Sequence, residues 1–184
     1  MTCHACQANV QSRRGGRVDK TDGRGGQKHG REGIPGKNSR QLLLGCGSAN
    51  AHGLQIKSYW SGDEAVCSWH PGPSHAAGPP HLLNGGIIAT IIDCHCVCTA
   101  IAAAYRQESR PVGTEPVIWY ATASLQVSYL RPTPITGVVE LRAQIRQLTD
   151  RKTTLTCSLS SAGIVCAQGE VVAVRVPSAW LSPG

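Results

Sequence analysis

Asn84-Gly85-Gly86-Ile87-Ile88-Ala89-Thr90-Ile91-Ile92-Asp93 is the stretch on which the reading of this chain turns. Asn is a strong helix N-cap, and the run after it is rich in Ala and Ile, so the pattern predicts a helix from about Gly85 to Arg106. Almost every side of that helix is apolar, and such a helix must be buried on nearly every side. The two glycines at its start, Gly85 and Gly86, let a ligand approach the backbone closely. The first-turn N–H groups lack intrahelical partners and sit at the positive end of the helix dipole, which suits a polarised carbonyl oxygen. The plainer alternative is that the glycines only permit tight packing.

Asp93 is the exception in the apolar run. An unpaired buried carboxylate costs on the order of several kcal/mol, so Asp93 needs a partner, a raised pKa or access to water. It stands eight residues beyond Gly85, or ~12 Å along the helix axis. One small carbonyl group cannot touch both. If both act on one bond, they come from two chains, with the helix start of one subunit facing Asp93 of the other at a symmetric interface.

The flanks define the rest of the fold. Upstream, Leu54 to Trp60 and Glu64 to His70 read as two strands around the turn Ser61-Gly62-Asp63, followed by a proline-rich loop from Pro71 to Pro80. Downstream the period changes to two. Leu125, Val127 and Tyr129 oppose Ser124, Gln126 and Ser128 within a strand from Trp119 to Leu130. Val139, Leu141, Ala143 and Ile145 alternate with Glu140, Arg142, Gln144 and Arg146. Thr153 to Leu159 and Ile164 to Val176 complete the set. Such alternation indicates an antiparallel sheet with one buried face. Two strands, one buried helix and about four strands make an α+β layer, one antiparallel sheet wrapped around a long central helix.

Charge separates the chain into two parts. The net charge is +7. Residues 1–40 carry nine Lys/Arg against three Asp/Glu, and residues 41–184 are nearly balanced, so the basic character belongs to the first 40 residues. That segment is rich in Gly and Arg without period and reads as a disordered tail ahead of a domain spanning 41–184. A solvated leader is its simplest role, and nucleic acid is not the expected partner. The most apolar stretch is broken by Asp93 and His95, which argues against a membrane span. Several of the nine cysteines lie inside apolar patterns, and a reducing cytoplasm is the expected setting.

Other chemistries find weaker support. Cys3-His4-Ala5-Cys6 supplies too few ligands for zinc. In Asp93-Cys94-His95-Cys96-Val97-Cys98 only Cys94 and Cys98 share a helix face, so no metal site is expected there. There is no Gly-x-Ser-x-Gly elbow and no phosphate-loop signature.

Taken together, the helix run and its surroundings resemble the hotdog-fold thioesterase superfamily, of the phenylacetyl-CoA and 4-hydroxybenzoyl-CoA type. The likeness rests on the Asn84-to-Asp93 run. It extends upstream to Gly45-Cys46-Gly47-Ser48-Ala49-Asn50-Ala51-His52-Gly53-Leu54, and downstream to Thr122-Ala123-Ser124-Leu125-Gln126-Val127-Ser128-Tyr129-Leu130-Arg131-Pro132. It implies hydrolysis of an acyl-CoA thioester by a homodimer or dimer of dimers, with no cofactor beyond the coenzyme A carried by the substrate. On that resemblance Asp93 is the nucleophile or general base. Gly85 offers its N–H to the thioester carbonyl, and Thr122 orients the water or the carboxylate. Asn84 stands where many members have His; it can donate a hydrogen bond but cannot titrate near neutral pH. His81 lies three residues earlier and is a further candidate for substrate contact. Arg131, Arg151 and Lys152, at strand ends or turns, are candidate cations for the phosphates of coenzyme A. A non-catalytic acyl-CoA-binding sensor of the same fold is the alternative.

Overall fold

The helix forms where the sequence places it. In the computed structural model, which describes residues 32–33 and 44–180, α1 runs over Gly85–Gln107. Asn84 caps it in an extended conformation (φ −64°, ψ 133°), accepting from the first-turn amides of Gly86 and Ile87. Its apolar circumference is covered by a sheet of β1 (Glu32–Gly33), β2 (Tyr59–Ser61), β3 (Glu64–Trp69), β4 (Tyr120–Tyr129), β5 (Val139–Leu148), β6 (Lys152–Ser161) and β7 (Ile164–Arg175). All pairings are antiparallel, in the order β1-β2-β3-β5-β6-β7-β4. This is the wrapped-helix architecture of the hotdog fold. The expected tail lies outside the described residues except for Glu32–Gly33, which pairs with β2.

The period-two pattern holds where the helix covers the sheet. Val139, Leu141 and Ala143 of β5, Leu155, Cys157 and Leu159 of β6, and Ala167, Val171 and Ala173 of β7 are all buried against α1. With no Phe in the chain, Ile, Leu and Val fill this layer; a fully buried side chain of that kind contributes about 1.5–3 kcal/mol. Small residues bring helix and sheet close. A Cβ added at Gly169 of β7 would stand 2.5 Å from Cγ2 of Ile92, so this glycine is required by the approach of α1. Although α1 is long and apolar enough to cross a bilayer, 72% of its apolar window is buried inside the fold.

Three expectations are corrected. Residues 54–58 are not a strand: Gln55 adopts φ 48°, which breaks the extended run, and pairing begins at Tyr59. Leu54 and Ile56 are nevertheless buried, because this segment folds back on Leu44 and Gly45 (Leu54 N–H to Leu44 O 2.7 Å, Ile56 N–H to Gly45 O 3.0 Å). In β5 the alternation is interrupted by a bulge between Ile145 and Gln147. The third concerns β4, whose apolar residues do not form a buried face: Leu125 is 38% and Tyr129 55% exposed. β4 is an edge strand, paired on one side only among the described residues, and the first turns of α1 leave it partly uncovered.

Candidate active site

β4 passes along the N-terminal part of α1 and touches it at two functional points. At its beginning, the Thr122 hydroxyl donates to Oδ1 of Asp93 over 2.5 Å. At its end, the Tyr129 hydroxyl donates to the Gly85 carbonyl over 2.8 Å. A bulge makes the first contact possible. Thr122 pairs with Ala173 while Ser124 pairs with Val172, so Ala123 is an extra residue. Thr122 thereby faces the helix together with Leu125, although residues three apart in a regular strand point to opposite sides.

Asp93 is half-buried. Burial pushes its pKa above the ordinary value for an aspartate, and the hydrogen bond donated by Thr122 pulls the other way. The result is a carboxylate held in one orientation and more basic than one in water, as a base or nucleophile requires.

The helix start is ordered by its neighbours. Leu83 N–H donates to Thr133 O and Asn84 N–H to His75 O, both over 2.9 Å. The Asn84 Oδ1 accepts from Gly86 N–H (2.8 Å) and Ile87 N–H (3.3 Å). Its oxygen is thus committed to the cap, and only the amide NH2 remains as a donor. The Gly85 N–H has no acceptor among the described residues. Gly85 is half-buried and Gly86 exposed.

The remaining expected residues are dispersed. His81 is exposed in the loop before the helix, where its carbonyl accepts from Ile135 N–H (3.0 Å). Arg131 follows β4 near the helix start, its guanidinium donating to Val165 O (3.1 Å). Arg151 and Lys152 are exposed at the opposite end of the sheet. Arg131 N–H meets Cys166 O, whereas Lys152 is in register with Val174, about 26 Å away along β7. Within one chain these cations do not converge, and neither do Gly85 and Asp93.

Two features have roles that the sequence does not announce. Tyr129 is legible as an alternating strand position and as part of the segment that resembles the family, but not as a partner of Gly85. His95, two residues past Asp93, is fully buried between Ser58 Oγ (2.7 Å from Nδ1) and Ala65 O (3.1 Å from Nε2), and burial pushes its pKa down to about 4. It ties α1 to β3. The neighbouring sulfur atoms diverge, Cys96 toward Cys157 and Cys98 toward Cys46. On the outer sheet face a polar cleft of about 320 Å³ is satisfied internally: Glu64 accepts from Arg142 (3.0 Å) and Gln144, and Arg146 donates to Thr156 (2.9 Å).

Solved structures share this fold. A thioesterase superfamily protein from Shewanella loihica is 36% identical, with a TM-score of 0.56, over 70% of this chain and 97% of that one. The chain belongs to the thioesterase superfamily. Escherichia coli PaaI, from the phenylacetic acid degradation operon, shares the fold of this superfamily member at 13% identity and a TM-score of 0.55, over 67% of this chain and 81% of PaaI. Among curated proteins, acyl-coenzyme A thioesterase THEM4 of Bos taurus is 30% identical over 126 residues, which is 67% of this chain and 46% of that protein. THEM4 of Xenopus laevis is 28% identical over 71% of this chain and 54% of its own length. The chain thus spans about half the length of the curated relatives it matches. No family model matches it.

Proposed function

We propose that this thioesterase-superfamily chain hydrolyses an acyl-CoA thioester to a carboxylic acid and coenzyme A. The observation that carries this is the half-buried Asp93 carboxylate, fixed by Thr122 and made more basic by burial. The naming of its THEM4 relatives as acyl-coenzyme A thioesterases supports the substrate class. Asp93 either takes a proton from the attacking water and passes it to the leaving sulfur, or attacks the carbonyl carbon to form an anhydride, which water then splits to the acid and free Asp93 while also supplying the proton to the sulfur. The Gly85 amide holds the carbonyl oxygen as charge develops there, and the sulfur leaves with the electron pair of the broken C–S bond to become the thiol of coenzyme A. Asn84 offers its NH2 at the same end, and the exposed Gly86 leaves room for the substrate.

Each site is assigned to two copies of the chain. The open edge of β4 and the exposed Leu125, Tyr129 and Leu130 suit pairing with a second β4. Antiparallel pairing about a two-fold axis sets the Tyr129 end of one strand beside the Thr122 end of the other. Gly85 then approaches Asp93 of the partner subunit, and Arg131 shares a site with Arg151 and Lys152 of the partner subunit, where cations can meet the phosphates of coenzyme A.

A panel of acyl-CoA substrates assayed by free-thiol release, with Asp93→Asn alongside, tests this reading. Turnover that survives the substitution overturns the mechanism, and tight acyl-CoA binding without turnover replaces it with a sensor. Mixed dimers of Asp93→Asn with a Gly85 variant test the shared site, because one intact centre is then restored. Lack of recovery on mixing overturns the two-copy assignment.

A further inference from the structure

We propose that Tyr129 is a positioning residue for the carbonyl-binding site at the start of α1, its hydroxyl clamping the Gly85–Gly86 peptide from the carbonyl side while Asn84 holds the same peptide from the amide side. The inference rests on the thioesterase reading above and concerns the regulation of geometry at that site.

Two successive glycines are the most freely moving backbone a chain can offer. A donor that stabilises a developing oxyanion has the opposite requirement, because its direction must be set before the reaction begins. Here a single peptide plane is held at both ends. Its N–H, on Gly86, donates to Asn84 Oδ1 over 2.8 Å. Its C=O, on Gly85, accepts from the Tyr129 hydroxyl over 2.8 Å. A carbonyl oxygen has two lone pairs, so the tyrosine can be accommodated alongside the intrahelical bond expected of a first-turn carbonyl. With that plane fixed, the preceding peptide, which carries the Gly85 N–H and whose carbonyl accepts from Ile88 N–H over 3.0 Å, differs from it only by the φ and ψ of Gly85.

The ring contributes a wall. A Cβ built on Gly85 would stand 3.4 Å from Cε1 and Cζ of Tyr129 and 3.5 Å from its hydroxyl oxygen. The phenol end of the ring therefore lies against the bare side of the glycine and limits the side from which a substrate reaches the amide. Tyr129 is 55% exposed, so little apolar burial is at stake in this contact. Thr122, at the other end of the same strand, does for Asp93 what Tyr129 does for Gly85: a hydroxyl on β4 fixes a group on α1.

The experiment is Tyr129→Phe in the full chain, which keeps the ring and removes the donor. With an acyl-CoA that the wild type turns over, kcat should fall roughly 10-fold, a fraction of the 10²–10³ that loss of a whole oxyanion donor brings, with KM within about two-fold. Hydrogen exchange at the Gly86 amide should accelerate about 5-fold, the equivalent of one neutral hydrogen bond. Unchanged kcat, or unchanged exchange at Gly86, overturns the clamp. The exchange readout does not need turnover, so a wild type that hydrolyses none of the substrates sinks the thioesterase reading while Gly86 still decides the clamp. A loss of kcat that merely tracks a lowered melting temperature, equal for Tyr129→Phe and Tyr129→Ala, marks the contact as structural and also overturns it.

Discussion

The two halves of α1 have nearly the same apolar composition and opposite surroundings. From His95 to Tyr105 every residue is buried, whereas from Gly85 to Cys94 only Ile88, Ile91 and Ile92 are. The second half reaches β3 through His95 and β6 through Cys96, and its end is tied down by polar contacts: the Tyr105 hydroxyl accepts from Ile118 N–H (2.9 Å), and Glu108 pairs with Arg110 and Arg175. The first half packs Ile92 on Gly169 of β7 and meets β4, at the sheet edge, through the hydroxyls of Thr122 and Tyr129. Hydrophobicity along the helix does not distinguish them. The difference comes from what lies across from each half: packing for one, and the candidate site for the other.

Four substitutions or conditions can break that division, beginning with the largest effect. Asp93→Asn in the first half should lower kcat by roughly 10²–10⁴-fold with the fold intact, as measured by thiol release and by thermal melting side by side. The wild-type rate should rise with pH through a value above that of an ordinary aspartate, because burial raises the pKa of Asp93. Ile101→Ala in the second half should do the reverse. It removes a side chain with no exposed surface and should cost about 2–5 kcal/mol in a denaturant titration, with KM and kcat unchanged while the chain is folded.

His95 supplies the third case. Its imidazole is held neutral in the fold, with a pKa of about 4 against 6.5 in the unfolded chain. The unfolded state therefore binds more protons between these values. The stability His95 contributes is complete above pH 6.5 and is lost as pH falls toward 4, on the order of 3 kcal/mol in all. Asp93 works in the opposite direction, since its raised pKa lets the folded state take up its proton first. Denaturation midpoints at pH 7.5 and 5.0 should therefore separate in the wild type and draw together in His95→Gln. Equal separation in both would remove His95 as the cause. Smallest is the cap: Asn84→Ala should cost about 1 kcal/mol, while Asn84→Asp keeps the acceptor and should be close to neutral in stability.

Much of this architecture is legible in the chain because it is local. The cap at Asn84, the all-round apolar run after it and the alternation in β5 and β6 each follow from a few neighbouring residues, and the antiparallel wrapped helix follows from their order. Asp93 stands out for the same reason, as a charge without a nearby partner. What escapes depends on contacts across the fold. Gln55 gives no notice of a left-handed φ, so the strand was expected to begin five residues early. Leu125 and Tyr129 look like core residues, since alternation cannot tell an edge strand from a central one. Tyr129 takes its role from Gly85, 44 residues away. The spacing of Gly85 and Asp93 along one helix does carry long-range information, because a rigid rod fixes their separation.

The bulge at Ala123 makes the candidate site depend on a count of residues as well as on their identities. Thr122 faces Asp93 only because one extra residue separates it from Leu125 in the β4 ladder. Deleting Ala123 would leave every site residue in the chain and turn the Thr122 hydroxyl to the outer surface. Comparison of identities position by position would score such a deletion as nearly silent. For anyone recombining or shortening this strand, the length between Tyr120 and Leu125 is part of the specification of the candidate site.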